Sequence, residues 1–416
     1  MSEVIARHVT PRVVEALEDT RIVVLQGARQ VGKTTLVREL VDDRGGRLLT
    51  LDDPATLARA AADPLGFLLE EPERLLAIDE VQRLPELILP LKYVVDRDTR
   101  PGRFLLTGSA NLLRLPSLPD SLAGRVERIE LHGFSQGELA GHRESFIDRL
   151  LAGERFTTHT SALHRHHYLQ RAAAGGYPEA LARPEGRRRD AWFDNYADGV
   201  VRREAEELTN LQRLAELPKI LRVLASRNSG ELNMADIARD TEIPVRTLTP
   251  YVDLLHTLYL IQTIPAWFTN FAQRVVERPK VSLLDSGLAA RLINISAAGA
   301  APEASPKVAG GLLEGFVAGE LRRQLTWSEE RAELGHFRER TAGEVDLVLE
   351  TPDGRVAGLE IKATSAPGRN DAKGLAHLRD RLGSRFVAGL VLHTGTTGGS
   401  LGDRLAAVPM DAVWTR

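Results

Sequence analysis

Cysteine is absent from the 416 residues. That excludes disulfides and thiolate metal sites and fits a reducing compartment, so the chain is expected in the cytoplasm. A charge excess of either sign is also lacking. Lys and Arg total 54 against 57 Asp and Glu, a formal net charge of −3, so any nucleic-acid binding must come from local patches. No apolar run reaches the roughly 20 residues of a membrane span. Met1 to Ile5 shows no basic stretch leading into an apolar core, so neither a membrane segment nor a secretory leader is expected. What is present is ordinary for a globular protein, with 43% hydrophobic and 27% charged residues. The length suits two or three domains at about 150 residues each.

The most specific stretch is Gly27-Ala28-Arg29-Gln30-Val31-Gly32-Lys33-Thr34, followed by Thr35. It fits the phosphate-loop pattern G-x-x-x-x-G-K-[ST] at every fixed position. An apolar, β-branched run over residues 21–26 precedes it and reads as a buried parallel strand. Residues 35–41 read as a helix. Backbone N–H groups of such a loop converge on phosphate oxygens, and the helix N-terminus adds favourable partial charge. Lys33 is expected on the β- and γ-phosphates of ATP, and the Thr34 hydroxyl on Mg²⁺.

Downstream, Leu75-Leu76-Ala77-Ile78-Asp79-Glu80 is an apolar strand ending in two carboxylates. Asp79 is expected to hold Mg²⁺ or its waters, and Glu80 to orient and deprotonate the attacking water. Residues 103–111 read as a further strand. Ligands of open parallel sheets sit at the carboxyl ends of strands, so any of Thr107, Ser109 and Asn111 can sense the γ-phosphate, Ser109 being the candidate. Arg125 or Arg128, in the strand read over 121–131, can bring a charge to the phosphates in cis or from a neighbouring subunit.

The βα alternation then stops. Residues 132–217 read as mostly helical, with His164, His166 and His167 as a solvated cluster and the aromatics at Trp192, Phe193 and Tyr196 as core. Residues 218–270 carry A-D-I-A-x-D-x-x-I-P-x-x-T-L-x-x-Y-x-x-L-L, the order of a helix-turn-helix of winged type. Its third helix can enter a major groove and would present Arg246, Thr247 and Thr249 to DNA. Residues 270–279 read as a linker-like turn region, 280–288 as a strand closing in Asp-Ser-Gly, and 296–307 as a loop.

From 271 to 416 a third domain is expected. Residues 312–321 form a helix with Glu320 near its middle. Strands follow at 333–338, 343–350 and 356–363, the last two joined by a Pro352-Asp353-Gly354-Arg355 turn. Alternation in Glu360-Ile361-Lys362 sets both charged residues on one face, and pairing brings Asp346 beside them. Paired carboxylates favour a divalent cation and the lysine can activate water. This is a metal-nuclease arrangement, with Glu320 as an added helix ligand.

Asp346 and Glu360-x-Lys362 resemble the PD-(D/E)XK pattern of the restriction-endonuclease-like fold, although Glu344-Val345 stands where a proline often precedes the acid. Nearly end to end, the chain resembles a widespread prokaryotic group of AAA-like P-loop ATPases. The resemblance rests on the G-A-R-Q-V-G-K-T-T loop, the I-D-E acid pair, the L-T-G-S strand end and the C-terminal half. It implies an α/β P-loop NTPase domain over 1–131, a winged-helix middle and a restriction-endonuclease-like α/β domain. ATP with Mg²⁺, DNA as partner and a homo-oligomer are the corresponding expectations. ATP-driven action on DNA with nuclease potential is the first functional reading, and an ATP-dependent switch with a protein partner the second.

Overall fold

The computed structural model describes residues 5–109, 122–208, 214–269, 274, 277–295, 306–339 and 343–415, with backbone alone for 200–208 and 306. Asn111, the start of the strand read at 121, residues 296–305 of the loop read over 296–307 and part of the 270–279 turn region lie outside them, while Pro306 and Lys307, read as the end of that loop, are helical. The chain divides into two compact units, one of Met1–Phe134 with Asp253–Leu260, the other of Ser135–Val252 with Ile261–Arg416.

The first unit holds helix α1 (Thr10–Asp19), strand β1 (Ile22–Gln26), α2 (Lys33–Arg44), β2 (Arg47–Thr50), α3 (Pro54–Ala62), α4 (Pro64–Leu68), β3 (Leu76–Asp79), α5 (Ile88–Arg97), β4 (Phe104–Gly108) and β5 (Val126–Glu130). The described strands form one sheet in the order β2-β3-β4-β1-β5, and every pairing is parallel. β1 and β4 are buried at all five positions, which explains their apolar runs Ile22–Leu25 and Phe104–Leu106 ahead of the polar strand ends. Parallel order places the ends of β1, β3 and β4 along one edge, where the motifs fall. Helix α1 begins at Thr10, with Pro11 in its first turn, as proline's fixed φ favours.

The second unit begins with α6 (Gln136–Ala140), α7 (Phe146–Leu151), α8 (Arg165–Ala174), α9 (Pro178–Leu181) and α10 (Arg187–Leu208). Trp192, Phe193 and Tyr196 pack with Tyr177 in its interior. Next come α11 (Leu217–Ser226), β6 (Gly230–Glu231), α12 (Met234–Thr241), α13 (Val245–Thr257), whose residues from Asp253 on are assigned to the first unit, β7 (Ile261–Ile264) and β8 (Lys280–Leu283), the strands forming a sheet β6-β8-β7. A boundary at 270 would cut that sheet. Asp285, read as a strand end, instead caps α14 (Ser286–Leu292) by accepting from Leu288 N–H, a role carboxylates fill well.

The remainder runs α15 (Pro306–Gln324), β9 (Glu333–Glu339), β10 (Gly343–Glu350), β11 (Val356–Lys362), α16 (Lys373–Leu382), β12 (Phe386–His393), β13 (Gly399–Gly402) and β14 (Leu405–Pro409). Its sheet is mixed, in the order β13-β14-β12-β11-β10-β9. The β9-β10-β11 meander is antiparallel and β11-β12-β14 parallel. Phe337, Val345, Leu375, Leu378 and Phe386 form part of its core.

Candidate functional site

Residues 27–34 join the end of β1 to α2. Gly27 approaches the backbone after β5 so closely that a Cβ would lie 2.0 Å from the Leu131 carbonyl oxygen. Gly32, at φ 101°, caps α2 from the left-handed region, where a side chain is strained. Arg29 is partly buried, Gln30 exposed at φ 63°, and Ala28 and Val31 buried. Lys33 is 4% exposed, and its Nζ donates to the carbonyls of Gly27 and Ala28 at 2.9 and 3.0 Å. Thr34 Oγ1 lies 3.2 and 3.1 Å from the two Asp79 carboxylate oxygens. Thr35 points outward in the first turn of the helix.

Asp79 closes β3 at 4% exposure. Thr107, on the adjacent β4, donates to Asp79 and accepts the Glu80 N–H at 3.1 Å. Burial raises the Asp79 carboxyl above its ordinary value, with the Thr107 hydrogen bond opposing. A desolvated carboxylate served by hydroxyls and set against Thr34 suits a divalent cation, so these two residues fit Mg²⁺. Glu80 stands in the left-handed region at φ 59°. Gln82 Nε2 donates to the Glu80 carboxylate and to Ser109 Oγ, the latter at 2.9 Å. Of the three hydroxyl or amide candidates, Thr107 is committed to Asp79, Ser109 reaches Glu80 through Gln82, and Asn111 is not described.

One sequence expectation changes here, and one residue enters unforeseen. Arg125 cannot serve its own phosphate loop. It precedes Val126, which pairs with Ile22 at the start of β1, whereas the loop follows Gln26, about 16 Å away at 3.3 Å per residue. Arg125 pairs instead with Asp96, at 3.1 Å for one contact. Arg128, in register with Val24, is exposed in mid-strand. Arg7 was not foreseen. It donates to the carbonyls of Val31 and His132 at 2.8 and 2.6 Å and so pins the loop tip.

The second acidic cluster lies on the mixed sheet. Leu347 pairs with Leu359, and that antiparallel register carries Asp346 opposite Glu360. Asp346 accepts Ile361 N–H at 2.9 Å, and Lys362 Nζ meets Glu360 at 2.6 Å. Burial and then Asp346 push the Glu360 carboxyl up. Glu320 does not join them. It accepts Gln136 N–H at 2.9 Å and pairs with Arg323 at 3.2 Å. The helix residue that does join is Glu314. Six residues are about 1.7 turns, so the two glutamates face different directions. At the centre stands Lys280, also unforeseen, 2.8 Å from Glu314, 2.8 Å from Glu344 and 3.1 Å from Asp346. Among the described residues, no group of three or more His, Cys, Asp or Glu stands ready to hold a metal ion. His164 and His166 are exposed. On α13, Arg246, Thr247 and Thr249 are exposed, with Leu248 buried between them.

Comparison with known proteins agrees with this layout. A family described as an AAA domain matches residues 19–140. Two domains of unknown function match 165–299 and 309–413. A protein of Mycobacterium tuberculosis, Uncharacterized protein Rv2008c, and Uncharacterized protein Mb2031c of Mycobacterium bovis are each 30% identical over 410 residues, 98% of this chain and 84% of theirs. The chain belongs to their family. Among solved structures, a Walker-type ATPase of Pyrococcus abyssi is similar at 17% identity and TM-score 0.43, covering 70% of this chain and 96% of that one. The ORC2 protein of Aeropyrum pernix is similar at 16% and 0.32, covering 74% and 91%. Within the family's chain, residues 19–140 are thus an AAA-type P-loop ATPase domain on an all-parallel sheet. No helix among the described residues is long and apolar enough to cross a membrane.

Proposed function

We propose that the protein is a Mg²⁺-dependent ATP hydrolase that acts on DNA in the cytoplasm as a homo-oligomer. The observation that carries the hydrolase reading is the convergence of Lys33, Thr34, Asp79 and Glu80 at the carboxyl edge of one parallel sheet. Phosphate oxygens take over the Lys33 ammonium from the Gly27 and Ala28 carbonyls. Thr34 and Asp79 would hold Mg²⁺, which would supply positive charge to the β- and γ-phosphates. Glu80 accepts a proton from the attacking water, and Gln82 ties its carboxylate to Ser109. Arg125 serves a neighbouring copy's phosphates, since its own loop is out of reach.

The DNA reading is finer and has separate support. The order α11, β6, α12, α13, β7, β8 with a three-stranded sheet suits a winged helix, whose third helix exposes Arg246, Thr247 and Thr249. The order α15, β9, β10, β11, α16, β12 suits a restriction-endonuclease-like fold. The deciding experiment measures ATP turnover with linear, single-stranded and four-way DNA across a salt series. DNA is expected to stimulate turnover, less so as salt rises, and Lys33→Ala to abolish it. Turnover indifferent to DNA removes the DNA half, and turnover retained in Lys33→Ala removes the site. The switch reading, with a protein partner, is favoured by one observation, the ammonium seated among the acids of the mixed sheet.

A further inference from the structure

The ATP reading leaves Lys280 unexplained. Its side chain is 2% exposed, and a buried ammonium survives only where charge and hydrogen bonds answer it. An ammonium has three N–H donors. Here they meet three carboxylates, Glu314 and Glu344 at 2.8 Å and Asp346 at 3.1 Å. The acids come from α15 and from alternate positions of β10, which share a face. The lysine comes from β8 in a different sheet.

The count leaves one acid over. Glu360 is 7% exposed. One of its oxygens takes Lys362, and the other, Oε2, is buried with no hydrogen-bond partner. The cluster therefore offers more oxygen acceptors than one ammonium can serve. A divalent ion takes six or more oxygen ligands and carries twice the charge. Carboxylates gathered from a helix and two strands are the hard-oxygen set that Mg²⁺ or Mn²⁺ prefers.

We propose that Lys280 is a built-in cation occupying a latent divalent-metal site made by Glu314, Asp346 and Glu360, so that the native chain takes no metal there and loss of the ammonium opens the site. The site shares no residue with the phosphate loop and stands or falls independently of ATP hydrolysis. With Lys280 seated the acids are drawn onto the ammonium, which accords with the lack of a ready metal group among the described residues.

Mn²⁺ is the probe, without nucleotide so that Thr34 and Asp79 have no triphosphate to complete a site. Free Mn²⁺ is followed by electron paramagnetic resonance against the full chain, Asp346→Asn, Lys280→Met and the double variant. The native chain and Asp346→Asn should bind alike. Lys280→Met should gain one Mn²⁺ per chain, and adding Asp346→Asn should abolish the gain. Native binding that disappears in Asp346→Asn overturns the proposal, because metal and ammonium then coexist. A folded Lys280→Met that gains nothing overturns it as well. Should Lys280→Met fail to fold by circular dichroism, Lys280→Met with Glu344→Gln removes one negative charge along with the positive one. The same gain is expected of that variant, and its absence counts equally against the proposal.

Discussion

Two aspartates at comparable exposure occupy opposite electrostatic situations. Asp79 is met by the hydroxyls of Thr34 and Thr107, which donate hydrogen bonds and bring no formal charge. Asp346 is met by the ammonium of Lys280. Burial lifts Asp79 despite its hydrogen bonds and the Lys33 charge farther off, so desolvation outweighs the stabilisation the site supplies. The cluster around Asp346 has its cation supplied by the chain. On the proposed reading, one acidic site takes its cation from outside and suits chemistry, while the other is answered from within the chain, save for one Glu360 oxygen, and suits architecture. The difference also explains why paired carboxylates near a lysine, the same pattern on paper, need not mean the same activity.

The largest effect that sharpens this contrast belongs to the first site. Glu80→Gln removes the proton acceptor while leaving the phosphate loop untouched. ATP turnover should fall about 10²–10⁴-fold, with nucleotide affinity by fluorescence titration nearly unchanged. Equal losses of turnover and affinity would place Glu80 in binding and not in chemistry. The largest stability effect belongs to the second site. Lys280→Met strands the buried Asp346 together with the partly exposed Glu314 and Glu344, so in urea unfolding at neutral pH without divalent metal it should cost about 3 kcal/mol, the low end for breaking a buried pair. A cost near zero would mean that the acids are already protonated and that the ammonium is no counter-ion.

What could be read in advance follows from range along the chain. The phosphate loop and the strand carrying Asp79 are contiguous patterns, and each fell where the pattern placed it, at the carboxyl edge of the sheet. Alternation likewise set Glu360 and Lys362 together. Lys280 was illegible because it reaches Asp346 from 66 positions earlier and from another sheet. Arg7 is 24 positions from the Val31 it holds. Glu320 was expected and Glu314 was not singled out, because helix phase relative to a sheet is set by packing, and both lie on the same helix. The Arg125 expectation overlooked the polarity of β5, which only the parallel register reveals.

Glu320 offers the next measure. Burial pushes its carboxyl up to about 7, with Arg323 and the Gln136 N–H opposing. A folded-state value raised from 4.5 favours the protonated form. Its stabilising contribution is therefore complete below about pH 4.5 and is lost as pH rises through 7. Glu320→Gln keeps a neutral side chain at every pH. The gap in unfolding free energy between native chain and variant should shift by on the order of 3 kcal/mol from pH 4.5 to pH 8. A gap constant with pH would mean that Arg323 holds Glu320 ionised throughout, making it a second complete ion pair.

The smallest expected change is the most direct comparison. Asp79→Asn removes a buried charge that no cationic side chain among the described residues pairs with at bonding distance, Lys33 acting on it from farther off, while an amide oxygen still accepts from Thr34 or Thr107. Stability without ligand should therefore stay within about 1 kcal/mol of the native chain or rise slightly, although turnover is lost. The opposite sign at Lys280 is what the two environments require, because there the removed charge leaves others unanswered. Thermal melts of both variants, with and without Mg·ATP, decide the matter. The native chain should gain stability from the ligand pair by mass action, and Asp79→Asn should lose most of that gain. If Asp79→Asn unfolds as readily as Lys280→Met, Asp79 is also a structural counter-charge and the division between the two acidic sites fails.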